Sequence, residues 1–140
     1  MRFFDVWEWA GRQYQTLSGG ERQRVQFARV LTQIWHPTPG VPRYLILDEP
    51  LTFLDIRHQL DFLHKLRALL SGGDLVVVGV MHDLNLAARF ADQVLLIHRG
   101  RALAIGPTET VMRPELIEEA FAVRSSIHRG EAGRIHLLFE

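Results

Sequence analysis

The chain has no cysteine and only one lysine, Lys65, among its 140 residues. The absence of cysteine excludes a disulfide framework and thiolate metal sites, and it fits a reducing compartment. No apolar run approaches the roughly 20 residues that cross a bilayer, and the start lacks a signal-peptide pattern. We therefore expect a soluble protein, or one that reaches a membrane through a partner. The formal net charge of +0 gives no electrostatic reason to expect a nucleic-acid partner.

The single lysine also bears on phosphate binding. A phosphate-cradling P-loop has the pattern Gly-x-x-x-x-Gly-Lys-[Ser/Thr], and no glycine loop precedes Lys65. The composition, 47% hydrophobic and 23% charged, is that of an ordinary globular protein with material for one core. We predict a single domain over residues 1–140.

Apolar spacing predicts α/β organisation without repeats or low-complexity segments. The prolines between His36 and Pro42 indicate a loop. The predicted elements are a helix tail over Phe3–Ala10, helices from about Gly20 to Ile34, Ile56 to Leu70, Leu84 to Phe90 and Pro114 to Phe121, strands Tyr44 to Leu47 and Leu75 to Val80, a hairpin of Val94 to Ile97 with Arg101 to Ile105, and a second hairpin within Val123 to Phe139 that turns around Gly130 to Gly133.

Two apolar strands joined by a helix predict a right-handed parallel βαβ unit whose sheet is covered on both faces. Ligands of such sheets bind beyond the carboxyl ends of the strands. Asp48 and Glu49 follow the first strand, and His82 follows the second. The connecting helix is expected to bury one face, made of Ile56, Leu60, Leu63, Leu66 and Leu70.

Ser18 and Glu21 allow two interpretations. The spacing Ser-x-x-Glu is that of a helix capping box, which is the ordinary explanation. Gly19 and Gly20, however, weaken a first helical turn by roughly 1 kcal/mol each relative to Ala unless a backbone must approach closely. A phosphate can bind the bare N–H groups at such a helix end. Both roles are compatible.

The acidic pair Asp48-Glu49 is either a simple strand-to-loop transition or a metal and water site. Mg²⁺ is held by few carboxylates together with water and phosphate oxygens, which suits Asp48. Phosphoryl transfer to water needs a group that orients or deprotonates the water, which suits Glu49. His82 at the next strand end can reach a γ-phosphate. The remaining histidines lack metal-ligand spacing and are expected to be surface or packing residues: His36, His58, His64, His98, His128 and His136.

Taken in order, these motifs resemble the C-terminal part of an ATP-binding-cassette (ABC) ATPase domain, a P-loop NTPase fold with a parallel βαβ core, a signature helix and C-terminal β-hairpins. Two such domains pair head to tail around ATP and Mg²⁺, and hydrolysis drives transmembrane permease subunits. The resemblance implies nucleotide contacts by Leu17, Ser18, Gly19, Gly20 and Glu21 (signature) and by Asp55 (D-loop), a metal ligand in Asp48 (Walker B), and catalytic roles for Glu49 and the switch histidine His82.

Within the family, the segment 28–35 and the proline-rich insertion look like ATPases of haemin importers, which belong with iron-chelate and vitamin B12 importers. Leu54 to Gln59 is more similar to siderophore importers. The resemblance implies a homodimer or a second ATPase domain, an indirect periplasmic haem-binding partner, and a peripheral position at the cytoplasmic face of the bacterial inner membrane.

The chain also departs from the family pattern. Leu51-Thr52-Phe53 stands where the family usually has Thr-Ser-Ala, which adds bulk near the expected dimer seam. Without a P-loop, we expect the isolated chain to be inactive. One alternative is a fragment that only binds partners. Another, a chromosome-maintenance ATPase, would have long heptads, and the sequence has none.

Overall fold

A computed structural model of the chain describes residues 2–130 and 133–140. It divides into two compact units, Met1–Met81 and His82–Glu140. The α-helices are α1 (Gly19–Gln33), α2 (Ile56–Leu70), α3 (Leu84–Phe90), α4 (Thr108–Val111) and α5 (Pro114–Phe121). The strands are β1 (Arg43–Leu47), β2 (Leu75–Gly79), β3 (Gln93–His98), β4 (Arg101–Pro107), β5 (Ser125–Arg129) and β6 (Ile135–Phe139). Three short 3₁₀ turns precede α1, at Arg2–Phe4, Trp7–Trp9 and Tyr14–Thr16.

The first unit contains the predicted parallel strand pair. β1 and β2 run in register from Arg43 beside Leu75 to Leu47 beside Gly79. The backbone N–H of Val80 donates to the carbonyl of Leu47 at 2.9 Å, which extends the pairing by one residue. Helix α2 connects the two strands, so the predicted β–α–β order is confirmed.

Three phenylalanine rings form the centre of the first unit. Phe27 of α1 stacks on Phe62 of α2 with ring centroids 4.0 Å apart, and Phe4 stacks on Phe62 at 5.8 Å. Pairs of this kind contribute about 0.5–1.5 kcal/mol beyond the area they bury. These contacts fix the two helices against each other and against the start of the chain.

The prediction that the strand pair is covered on both faces is wrong. Leu45 and Leu47 are buried, but Ile46 is 78% exposed and Tyr44 is 62% exposed. Successive side chains of a strand point to opposite faces, so one face of the pair packs inward and the other remains open. Val76 and Val78, which pair with Tyr44 and Ile46, are exposed with them.

Of the predicted buried face of α2, Leu63 and Leu66 are buried, Leu60 and Leu70 are half-buried, and Ile56 is not buried. Phe62 is buried as well, whereas Ile56 at the first position is 76% exposed. Asp55 caps the helix, and Ile56 directly follows that cap on the side away from the core.

The predicted helix tail over Phe3–Ala10 is also wrong, because two 3₁₀ turns occupy this stretch. Asp5 between them has φ of 55°, which an α-helix does not allow. The Nζ atom of Lys65 binds its carboxylate at 2.8 Å and that of Asp61 at 2.9 Å. The hydrogen bond from Lys65 lowers the pKa of Asp5.

The second unit contains both predicted hairpins. β3 and β4 pair antiparallel through Arg99 and Gly100, which both have positive φ, as a tight two-residue hairpin turn requires. β5 and β6 pair antiparallel as well. The predicted turn over Gly130 to Gly133 includes two residues, 131 and 132, that lie outside the described part of the chain.

In the second unit, Asn85 of α3 makes two hydrogen bonds to the backbone of β6. Its Nδ2 donates to the carbonyl of Leu137 at 3.1 Å, and its Oδ1 accepts from the N–H of Leu137 at 2.7 Å. The predicted helices α3 and α5 are confirmed with the expected bounds, and the short helix α4 was not expected. The core of this unit includes Leu96, Val111, Met112, Ile117, Ile135 and Leu137.

Candidate functional site

The capping box at the start of α1 is present in full. The N–H of Glu21 donates to Oγ of Ser18 at 3.3 Å, and the N–H of Ser18 donates to Oε2 of Glu21 at 2.7 Å. This backbone hydrogen bond from Ser18, helped by the Ser18 hydroxyl, lowers the pKa of Glu21. The carboxylate is therefore favoured in its ionised form, at the positive end of the helix.

Gly19 and Gly20 lie against the loop that follows Pro50. A Cβ atom built on Gly20 would be 3.2 Å from the carbonyl oxygen of Phe53, and one on Gly19 would be 3.6 Å from Cβ of Phe53. Close backbone approach is therefore a real constraint at Gly20, and it comes from within the chain. The first N–H groups of a helix have no partner inside the helix. The N–H of Glu21 is taken by Oγ of Ser18, so those of Gly19 and Gly20 remain open to an acceptor.

Asp55 caps α2. Its Oδ1 accepts from the backbone N–H of His58 at 2.9 Å and lies 2.8 Å from Nδ1 of the same residue. The backbone hydrogen bond from His58, followed by the side-chain one, lowers the pKa of Asp55. Gln59 donates to the carbonyls of Leu51 and Leu54 at 3.3 and 3.1 Å, which holds the preceding loop in place.

Asp48 and Glu49 follow directly after β1, and both are exposed. Glu49 has φ of 43°, an uncommon conformation for a residue other than glycine. Its Oε2 accepts from the hydroxyl of Thr52 at 3.3 Å, and its carbonyl accepts from the N–H of Thr52 at the same distance. The loop thus fixes the backbone of Glu49 in an exposed position.

Gln23 joins the helix to this loop, and sequence reasoning did not single it out. Its Nε2 donates to the carbonyl of Pro50 at 3.2 Å in a part-buried position. Pro50 follows Glu49, so one hydrogen bond connects the second turn of α1 to the segment next to the acidic pair. The only signal for Gln23 in the sequence was that it is a polar residue within two turns of a capping box.

The predicted site residues therefore fall into two groups. Within the first unit the structure brings the start of α1, the loop 50–54 and Asp55 together around Gln23 and Phe53. Leu17 is 4% exposed, so its side chain belongs to the core. His82 is the first residue of the second unit, exposed, one position before the α3 cap Asp83. Its role stays a prediction.

No protein-family model matches the chain. It is 53% identical over 117 residues to the hemin import ATP-binding protein HmuV of Chelativorans sp., covering 84% of this chain and 45% of that protein. It is 47% identical over 137 residues to HmuV of Rhodopseudomonas palustris, covering 95% of this chain and 51% of that protein. The chain thus spans about half the length of the curated relatives it matches.

Solved structures show the same architecture. A metal-chelate-type ABC transporter in an inward-facing conformation aligns with 99% of this chain and 53% of its own, with a TM-score of 0.80 at 22% identity. The dimeric bacterial ABC transporter cassette MJ0796 aligns with 76% of this chain and 44% of its own, with a TM-score of 0.65 at 25% identity. The chain corresponds to the C-terminal part of an ABC ATPase domain.

In this ABC ATPase fold, the departures at Leu51 and Phe53 differ in their consequences. Leu51 is 9% exposed and packs inside its own unit, so it adds no bulk to an outer surface. Phe53 is 77% exposed with φ of 70° and lies beside Gly19. Of these two residues, only Phe53 therefore adds bulk to the surface.

The described part of this ABC ATPase chain contains no helix that is both long and apolar enough to span a membrane. It also contains no group of three or more His, Asp or Glu side chains arranged to hold a metal. A magnesium ion in an ATPase takes most of its ligands from water and phosphate, so one exposed carboxylate such as Asp48 fits that chemistry.

Proposed function

We propose that this chain belongs to the ATP-hydrolysing subunit of an ABC importer, and that the importer transports haemin. The observation that supports it most strongly is the link between α1 and the acidic pair. The Gln23–Pro50 hydrogen bond holds the signature turn beside the loop of Glu49, and both features face solvent. The relatives named as hemin import ATP-binding proteins support the choice of substrate.

Glu49 is the proposed general base. Its carboxylate orients the attacking water and takes its proton while the oxygen of that water bonds to the γ-phosphorus of ATP. The bond from that phosphorus to the bridging oxygen breaks, which yields ADP and phosphate. The contact with Thr52 holds the backbone of Glu49 in position for this role.

Asp48 is the proposed ligand of Mg²⁺, which when bound neutralises charge on the phosphate oxygens. Ser18, Gly19 and Gly20 offer a hydroxyl and helix N–H groups to the γ-phosphate of a nucleotide held by a second ATPase domain. Leu17, Glu21 and Asp55 position that turn and the loop beside it. We assign His82 to the γ-phosphate of the nucleotide on its own domain.

The proposed partners follow from this arrangement. A second ATPase domain completes each nucleotide site, transmembrane permease subunits receive the conformational change, and a periplasmic haem-binding protein delivers haem to them. The chain then works at the cytoplasmic face of the bacterial inner membrane. One solved neighbour is described as a dimeric cassette, which supports the pairing.

A chimera tests this proposal. The part of the Chelativorans protein that aligns with this chain is replaced by residues 1–140, and phosphate release is measured with MgATP. We expect hydrolysis by the chimera and its loss on Glu49→Gln, because the amide keeps the shape but takes no proton. Glu49→Gln should still dimerise with ATP, whereas Ser18→Arg should bind ATP without closing.

The parent Chelativorans protein is the control for folding and assay. A folded chimera that binds ATP but does not hydrolyse it contradicts the proposed activity, and unchanged turnover in Glu49→Gln removes Glu49 from the base role. Stimulation of the reconstituted transporter by a haem-loaded binding protein, compared with siderophore- and vitamin B12-loaded ones, tests the substrate.

A further inference from the structure

Two histidines of the second unit lie directly opposite each other on neighbouring strands. His128 of β5 pairs with His136 of β6 in the antiparallel register. The N–H of Gly130 donates to the carbonyl of Arg134 and that of Glu140 to the carbonyl of Arg124. Since such bonds recur at every second pair, His128 and His136 form a hydrogen-bonded pair with Cα atoms about 5.5 Å apart. Their side chains project from the same face of the hairpin.

Neither imidazole serves the core. Ile135 and Leu137, on the opposite face of the hairpin, are 3% and 2% exposed, whereas both histidines are exposed. Within residues 2–130 and 133–140, neither ring has a hydrogen-bond partner. Packing and hydrogen bonding therefore give no reason for imidazole at both positions.

The strands behind the pair are fixed by the fold. Asn85 holds the backbone of Leu137, the residue after His136, through two hydrogen bonds of 2.7 and 3.1 Å. Helix α5 packs against β5. Ligands on strands held in this way keep their spacing, which a flexible loop does not ensure.

Gly130 leaves room for one of the rings. A Cβ atom built on Gly130 would lie 3.3 Å from Cδ2 and 3.4 Å from Nε2 of His136. Any larger residue there would push the imidazole away. The bare glycine lets this ring lie over Gly130, two residues from His128 on the same face of the hairpin, and rotation about its side-chain bonds brings it to His128.

We propose that His128 and His136 together bind one divalent transition-metal ion of the kind that prefers imidazole, such as Zn²⁺. Imidazole nitrogens bind Zn²⁺ at about 2.0–2.1 Å, and Cβ atoms about 4.5–5.5 Å apart allow two rings to converge on one ion. No third His, Asp or Glu within residues 2–130 and 133–140 completes a cluster, so water occupies the other positions. The site is thus an exposed two-ligand site, independent of nucleotide.

The positive charge of Arg134 should weaken the binding of a cation to the two histidines. Arg134 pairs with Gly130 on the same face as the two histidines, one step along the hairpin. Removing its charge should strengthen binding of a divalent cation, which gives a second measurement that does not depend on losing a ligand.

The test is a titration of the whole 140-residue chain with ZnCl₂, followed by calorimetry and by the histidine ring signals in NMR spectra. We expect one saturable Zn²⁺ per chain, with signals of His128 and His136 shifting together. Either His128→Ala or His136→Ala should weaken binding at least tenfold, and Arg134→Ala should strengthen it several-fold. His36→Ala, an exposed histidine of the first unit, is the matched control and should change nothing.

Circular dichroism of each variant shows whether the hairpin is intact, and His128→Gln and His136→Gln replace any alanine variant that unfolds. MgCl₂ should give no shift, because Mg²⁺ prefers oxygen ligands. The proposal is overturned if the chain shows no saturable Zn²⁺ binding, or if both histidine variants bind as tightly as the parent.

Discussion

Gln23 donates a hydrogen bond from Nε2 to the carbonyl oxygen of Pro50 over 3.2 Å. The two residues are 27 positions apart, one in the second turn of α1 and the other directly after Glu49. The bond is part-buried, so water replaces it poorly. The bond therefore joins the signature helix to the loop of the acidic pair.

Gln23→Leu should destabilise the chain by about 1–3 kcal/mol, because the carbonyl of Pro50 loses its donor in a part-buried place. Urea unfolding measures the loss. Hydrogen exchange should become faster at the N–H groups of Thr52 and Leu54, which close the same loop. Gln33→Leu, at the exposed end of α1, is the control. Equal losses in the two variants would show that the Gln23 bond has no special role.

Gly19→Ala and Gly20→Ala should differ although the residues are neighbours. A methyl group on Gly19 meets ordinary contacts at 3.6 Å or more, so the better helix propensity of Ala should stabilise by up to about 1 kcal/mol. A methyl group on Gly20 lies 3.2 Å from the Phe53 carbonyl, so the loop must shift and the gain is cancelled. Thermal unfolding compares the two. Equal stabilisation would mean that the loop containing Phe53 shifts without a cost in free energy.

The stability of the chain should fall in acid. The hydrogen bond from Arg43 at 2.7 Å lowers the pKa of Asp74 below its ordinary value of 3.8. A carboxyl group whose pKa is lower when folded stabilises the fold above its unfolded pKa, and this contribution is lost as the pH falls through the folded value. The pKa values of Asp5, Glu21 and Asp55 shift in the same direction.

We therefore expect a constant free energy of unfolding between about pH 5 and 7 and a decline below about pH 4. Asp74→Asn should lower stability at pH 7 and make the decline shallower. Glu119→Gln, on an exposed position of α5, controls for the loss of one negative charge. A decline of unchanged steepness in Asp74→Asn would show that this ion pair has no part in it.

Local signals in the sequence were enough for much of the fold. Ser18 with Glu21 marked the start of α1, and the apolar spacing marked α2, α3 and α5 to within a residue. Such elements depend on neighbours within one turn, which a sequence displays directly. The acidic pair at the end of β1 was placed correctly for the same reason.

The remainder depends on contacts between distant positions. Asp5 interrupts the first segment with a positive φ, and its carboxylate binds Lys65, 60 residues away. His128 and His136 become neighbours only through the register of their strands, which their spacing in sequence does not reveal. The exposure of one face of β1 likewise depends on which other elements of the described chain pack against that face.

Asn85→Ala should destabilise the second unit more than a surface change does. The substitution removes both hydrogen bonds to the backbone of Leu137, which is 2% exposed, and leaves a buried donor and acceptor unpaired. A loss of about 1–3 kcal/mol is expected, measured by chemical denaturation. Asn85→Asp keeps the acceptor for the N–H of Leu137 but loses the donor. Because its second carboxylate oxygen then faces the carbonyl of Leu137 without a proton between them, Asn85→Asp should recover little of the loss.

The open face of the β1–β2 pair should cause the chain to self-associate. Apolar side chains are exposed at paired positions of the two strands, namely Tyr44, Ile46, Val76 and Val78. Ile46 is 78% exposed and Val78 is 56% exposed. Burying such surface gains roughly 25 cal/mol per Å², and exposed strand edges add hydrogen bonds between copies. Analytical ultracentrifugation should show an average mass that rises with protein concentration.

The double variant Ile46→Ser with Val78→Ser should shift this rise to higher concentration while circular dichroism stays unchanged. Ile105→Ser, on an equally exposed strand position of the second unit, controls for reduced surface apolarity in general. If Ile105→Ser reduces association as much as the double variant, or if the parent stays monomeric at all concentrations, this face is not the contact.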